Sequence, residues 1–157
     1  LHLSIRRQRQ MCIRDRIHLK VLDLNVDNMN IKLLNPLTLA YMGDAVLDQH
    51  VREYIVLKLR SKPNRLHQMS KLYVSAKSQA QTLETLIEEP WFTEEEMDIL
   101  KRGRNAKSYT KAKNTDVQTY RKSSALEAVI GFLYLEHREE RLKVLLDKII
   151  EIVNERS

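Results

Sequence analysis

The chain has 157 residues and a mass of 18.5 kDa, the size of one domain with room for a sizeable core. Three glycines and three prolines give little material for the tight turns of an all-β sandwich or barrel. A charged fraction of 31%, a mean hydropathy of −0.46 and no apolar run near the ~18 residues of a membrane span argue for no membrane association. The single cysteine, Cys12, excludes an internal disulfide framework and a cysteine zinc site, and suits a reducing compartment.

The net charge of +6 is unevenly placed. Residues 1–16, LHLSIRRQRQMCIRDR, set Arg6, Arg7, Arg9, Arg14 and Arg16 against Asp15 and carry +4 of it. The stretch begins with Leu and resembles translated adaptor read-through. A basic arm for nucleic acid and an Arg-rich organelle transit peptide are the rival readings, the latter implying an organellar location. Residues 1–22 are therefore set apart as a non-native or disordered basic arm, and 23–157 are read as one domain.

Asn35-Pro36 places an N-cap before a proline suited to the first helical position. From there Leu39, Met42, Val46, Leu47, Val51, Tyr54, Ile55 and Leu59 recur at three- and four-residue spacing, which predicts one helix over 37–59. Leu66, Met69, Leu72, Val74, Ala76, Ala80, Leu83 and Leu86 continue a helical period as two short helices or one bent helix. Thr93 and Glu96 form a capping box that opens a helix to about Gly103, with Trp91-Phe92 before it as a hydrophobic staple and core plug. Residues 104–122 lack an apolar period and read as a polar connection. Helices resume at Ala125, Leu126, Val129, Ile130 and Leu133, and over 142–153. The expected fold class is all-α.

Two segments stand out chemically. In YMGDAVL, residues 41–47, Gly43 costs a helix about 1 kcal/mol relative to alanine, so a close approach of backbone or ligand must require it. It precedes Asp44, a carboxylate among apolar neighbours. In SALEAVIG, residues 124–131, Glu127 is likewise flanked by apolar residues, with Gly131 one turn later. The structural readings are that Ser124 and Glu127 make a capping box and that Asp44 and Asp48 form a solvated i, i+4 face. The functional reading is that Asp44 and Glu127 converge from two packed helices on Mg²⁺, which takes one or two carboxylates together with phosphate oxygens.

Residues 101–122 carry a local charge of +7: Lys101, Arg102, Arg104, Lys107, Lys111, Lys113, Arg121 and Lys122 against Asp116. Interleaved hydroxyls and amides, Asn105 among them, suit phosphate and sugar contacts, although a charge run is often only a solvated loop. The five histidines show no ligand spacing.

LAYMGDAVL (39–47) and LEAVIGFLYL (126–135) resemble the two acidic helices of the ribonuclease III family. VSAKSQA (74–80), LKRGRNAK (100–107) and KNTDVQTYR (113–121) narrow the resemblance to its small subgroup, Mini-ribonuclease III, over about residues 30–153. The resemblance implies a ribonuclease III endonuclease-domain helical bundle over 23–157, with Asp44 and Glu127 as metal-binding catalytic carboxylates. Mg²⁺, with Mn²⁺ substituting, would support hydrolysis of double-stranded RNA, leaving a 5′-phosphate and a 3′-hydroxyl. Larger family members carry two further acids where this chain has Ala40 and Ser124. Ser124, with Asp48, is then a candidate for the outer shell. No separate RNA-binding domain is expected, so Lys77, Lys101, Arg102, Arg104, Asn105, Lys107, Lys111, Lys113 and Arg121 are the expected RNA contacts. A homodimer through Leu37, Leu39, Tyr41 and Met42, and a role in maturing 23S ribosomal RNA in a bacterial cytoplasm, complete what the resemblance implies. The alternatives are a catalytically inactive RNA-binding clamp, motivated by Ala40 and Ser124, and a helical protein-interaction module.

Overall fold

The computed structural model describes residues 29–107 and 116–157. The expectations for the arm at 1–22, and for Lys111 and Lys113, lie outside the described residues. The chain divides at Asn30 into two units, and the second, Ile31–Ser157, holds all the regular elements described. Each of these is helical, as the composition requires, and no strand occurs among the described residues.

After a 3₁₀ turn at Ile31–Leu33, helix α1 spans Pro36–Tyr54. The Asn35 side chain accepts from the Leu37 amide at 2.9 Å, and proline at the first position needs no partner for a missing N–H. The winding then loosens into a π turn, Ile55–Leu59, which Arg60 ends in the left-handed conformation at φ 49°. The single helix expected over 37–59 is thus two windings end to end. A 3₁₀ turn at Pro63–Arg65 leads into α2 (Leu66–Val74) and α3 (Ala76–Glu88). Ser75 separates them in extended conformation, its hydroxyl accepting from the Ser78 amide at 3.3 Å, so the two-helix alternative is the one found. Helix α4 spans Glu94–Asn105 and opens on the expected capping box: Thr93 Oγ1 accepts from the Glu96 amide and Glu96 Oε2 from the Thr93 amide.

The polar connection is shorter than its composition suggests. Helix α5 spans Val117–Leu135 and is capped by Asp116, whose carboxylate takes the Thr119 amide at 2.9 Å and the Thr119 hydroxyl at 2.7 Å. Seven residues therefore lie between the cap and Ser124. The capping-box reading of Ser124 and Glu127 is overturned, because both sit inside a helix already begun. Helix α6 runs Glu139–Arg156, longer at both ends than the apolar period over 142–153.

Helix α5 is the centre of the bundle. Ala125, Leu126 and the residues from Ala128 to Leu133 are buried, as expected of a helix covered on nearly all sides by α1, α3, α4 and α6. A Cβ on Gly43 would lie 1.8 Å from the Glu127 carbonyl oxygen, and one on Gly131 would lie 1.9 Å from that of Leu39. Backbone meets backbone at this crossing, which answers why both helices tolerate a glycine. The buried Glu96 carboxylate ties α4 to α6 through Arg141, whose Nε and Nη2 each donate at 2.8 Å. The Arg141 guanidinium also lies 3.7 Å from the centre of the Trp91 ring. Trp91 and Phe92 meet edge to face and pack, partly buried, against the core, as expected.

Candidate active site

The glycine crossing fixes the register of two acids. Asp44 follows Gly43 on α1, and Glu127 supplies the very carbonyl that Gly43 approaches. Far apart in sequence, the two side chains line one solvent-open cleft of about 500 Å³, together with Ala40, Gln79, Tyr120 and Ser124. Ser123, 4% exposed, also lines it and donates its hydroxyl to the Tyr120 carbonyl at 2.9 Å. Ala40 and the buried Ser124 stand in the same wall, which leaves the cleft with two carboxylates. Among the described residues no group of three or more His, Cys, Asp or Glu side chains comes together.

The electrostatics are those of acids without a counter-charge. No ion pair involves Asp44 or Glu127 among the described residues. Burial pushes the Glu127 carboxyl up to about 7; a hydrogen bond from Gln79 opposes the shift and the charge of Asp44 adds to it. Asp44 is raised by desolvation and then by Asp48. Asp48 itself does not line the cleft; its carboxylate is held 2.6 Å from Arg52 Nε and acts on Asp44 through charge. A larger groove of about 910 Å³ lies between the Ile55–Leu59 turn and α6, but there Asp147 is paired with Lys143 and His50. In the smaller cleft the two acids are partly or largely buried and raised in pKa by that burial, an all-oxygen donor set that fits a hard divalent cation.

A family model described as the ribonuclease III domain matches residues 37–138, which include both acidic helices. The chain belongs to the ribonuclease III family. By that membership it is a ribonuclease, an enzyme that cuts RNA. Within the family it is 83% identical over 132 residues to the Mini-ribonuclease 3 of Staphylococcus aureus, a match covering 84% of this chain and 98% of that protein. The Mini-ribonuclease 3 of Enterococcus faecalis is 47% identical, covering 79% and 94%. A crystal structure of a protein from Fusobacterium nucleatum superimposes with a TM-score of 0.66 at 29% identity, covering 81% of this chain and 96% of that one. The subgroup and the helical fold read from the motifs are both borne out.

The basic residues expected to contact RNA are not equivalent, and none of those described is in the lining of the cleft. Lys101, Arg104, Asn105 and Lys107 are exposed at and beyond the end of α4, Lys77 is exposed in the first turn of α3, and Arg121 is half-buried early in α5. Arg102 is committed elsewhere: its guanidinium donates to the carbonyl oxygens of Lys32 and, at 2.7 Å, Leu34, pinning the chain before α1 to α4. Of the expected dimer residues, Tyr41 is 84% exposed, and Leu37 and Met42 are half-buried. Leu39 has no exposed surface and belongs to the core of its own chain, because it lies on the side of α1 that meets Gly131. That corrects its placement at an interface. Gln79, Tyr120 and Ser123 were not expected in the cleft; only the Ser75 cap ahead of Gln79 hinted that α3 begins beside it.

Proposed function

We propose that Asp44 and Glu127 hold a divalent cation, Mg²⁺ with Mn²⁺ able to substitute, and that this ribonuclease hydrolyses double-stranded RNA at their cleft. The observation that carries the reading is the pairing of two acids without counter-charges in the wall of a solvent-open cleft. When bound, a cation supplies Lewis acidity that polarises the phosphodiester and lowers the pKa of water. The protein's part is to hold the two carboxylates together in the wall of the cleft. Glu127 must lose its proton to serve, and a carboxyl near 7 does so around neutral pH. Asp44, exposed on α1, supplies the more accessible oxygens. Ser124 beside them is suited to an outer-shell hydrogen bond, and Asp48 to keeping the local field negative.

Lys77, Lys101, Arg104, Asn105, Lys107 and Arg121, with Lys111 and Lys113, are the proposed phosphate and sugar contacts. Arg102 is left with a structural role, since its fork is occupied. The exposed Tyr41, with Leu37 and Met42, supports a homodimer whose two clefts would cut opposite strands. A 23S ribosomal RNA precursor in a bacterial cytoplasm is the substrate and setting that the family implies. No described helix is long and apolar enough to cross a membrane.

The test is cleavage of a long RNA duplex by the purified protein in Mg²⁺ and in chelator. Cutting in Mg²⁺ that stops in chelator and is lost in Asp44→Asn, with duplex affinity kept, is the expected result. An intact duplex under every metal condition would instead establish the inactive clamp. Binding that does not weaken steeply with added salt would remove the basic residues from the interface.

A further inference from the structure

Gln79 is 2% exposed, and its Nε2 donates twice at 2.9 Å, to the Val74 carbonyl and to Glu127 Oε1. Val74 is the last residue of α2, where a helix leaves carbonyls without an internal partner. The amide therefore joins the α2–α3 corner to the acid on α5. Its orientation is fixed by these contacts, because turning it over would set its own oxygen against two other oxygens. Gln79 Oε1 consequently has no hydrogen-bond partner among the described residues, although it is buried. A buried carbonyl left unpaired is disfavoured, and an apolar side chain of similar volume would fill the space without it. What the amide provides here, and an apolar side chain would not, is a donor shared by the Val74 carbonyl and Glu127.

We propose that Gln79 is a positioning residue for the reaction: by clamping Oε1 of Glu127 to the α2–α3 corner, it fixes the carboxylate in one rotamer and reserves Oε2 for the cation. The inference rests on the reading of Asp44 and Glu127 as a cation centre. It also accounts for a site with few acids, since a lone clamped carboxylate loses less freedom on binding than a mobile one.

Gln79→Leu and Gln79→Met remove the donor at nearly constant volume. Cleavage of an RNA duplex gives kcat and KM, and electron paramagnetic resonance of free Mn²⁺ gives cation affinity without RNA. The expected result is a fall in kcat of about 10- to 100-fold and a Mn²⁺ Kd weakened by a similar factor, with KM for duplex within about twofold. Unchanged kcat and Mn²⁺ affinity in either folded variant would overturn the proposal. The wild-type protein gives a reading that needs no variant: the Gln79 side-chain amide resonance should shift on adding Mg²⁺, and an unshifted resonance would also overturn it. Asp44→Asn separates the two levels. If it keeps Mn²⁺ binding, the cation centre itself is wrong; if it loses binding while Gln79→Leu retains it, only the positioning role fails.

Discussion

Replacing Glu127 with glutamine removes an acid that the fold holds against its own solvation. The folded carboxyl sits at about 7, against an ordinary 4.5, mainly because it is buried. At about 1.4 kcal/mol per pH unit, ionised Glu127 destabilises the cation-free fold by about 3 kcal/mol. The sign follows from the upward shift: the folded state binds this proton more tightly, so the stability the protonated form contributes is full below the unfolded value near 4.5 and is lost as pH rises through 7, above which the whole destabilisation is felt. Glutamine keeps a carbonyl oxygen to accept from Gln79. In chelator at pH 8, Glu127→Gln is therefore expected to melt higher than wild type by up to about 10 °C for a protein of this size. Near pH 4.5 the difference shrinks to about 0.4 kcal/mol. Saturating Mg²⁺ should raise the wild-type melting temperature at pH 8 and leave that of the variant nearly unmoved. Circular dichroism melts at the two pH values, with and without Mg²⁺, make the measurement. A variant less stable than wild type at pH 8 in chelator would show that Glu127 is a structural partner, and the reasoning from its burial would fail.

Other substitutions probe the frame around the site. Gly43→Ala drives a methyl into the Glu127 carbonyl and should cost at least about 3 kcal/mol in urea unfolding, with loss of cleavage in whatever folds. Arg141→Ala strands the buried Glu96 carboxylate and should cost about 3–5 kcal/mol by the same measurement. Burial pushes Glu96 up, but the bonds from Arg141 and Thr93 outweigh it and hold the carboxyl below its usual range. Tyr41→Asp puts a charge on a side chain 84% exposed, and should convert a dimer to monomers in analytical ultracentrifugation while leaving the melting temperature nearly unchanged.

Much of this was legible in the sequence because the local signals were strong. Asn35-Pro36 and the Thr93/Glu96 box marked helix starts through backbone chemistry that depends on few neighbours. Gly43 and Gly131 announced a close approach, and they proved to be each helix's answer to the other's backbone. The start of α5 was missed because residues 117–122 bury too little for an apolar period to show, while the decisive cap, Asp116, lay within a run read as a loop. Leu39 was misassigned because sequence spacing identifies an apolar face without saying whether the chain or a second copy covers it. Gln79 carried no signal of its own, since its role exists only where the α2–α3 corner meets α5.

The proposal that Asp44 and Glu127 share a cation is tested most directly by crystals grown with Mn²⁺ and measured at a wavelength where manganese scatters anomalously. A peak in the cleft bounded by the carboxylates of both Asp44 and Glu127, absent from Glu127→Gln crystals, is the expected result. Crystals that show no peak there, or a peak held by other residues while the protein still cuts RNA, would contradict it.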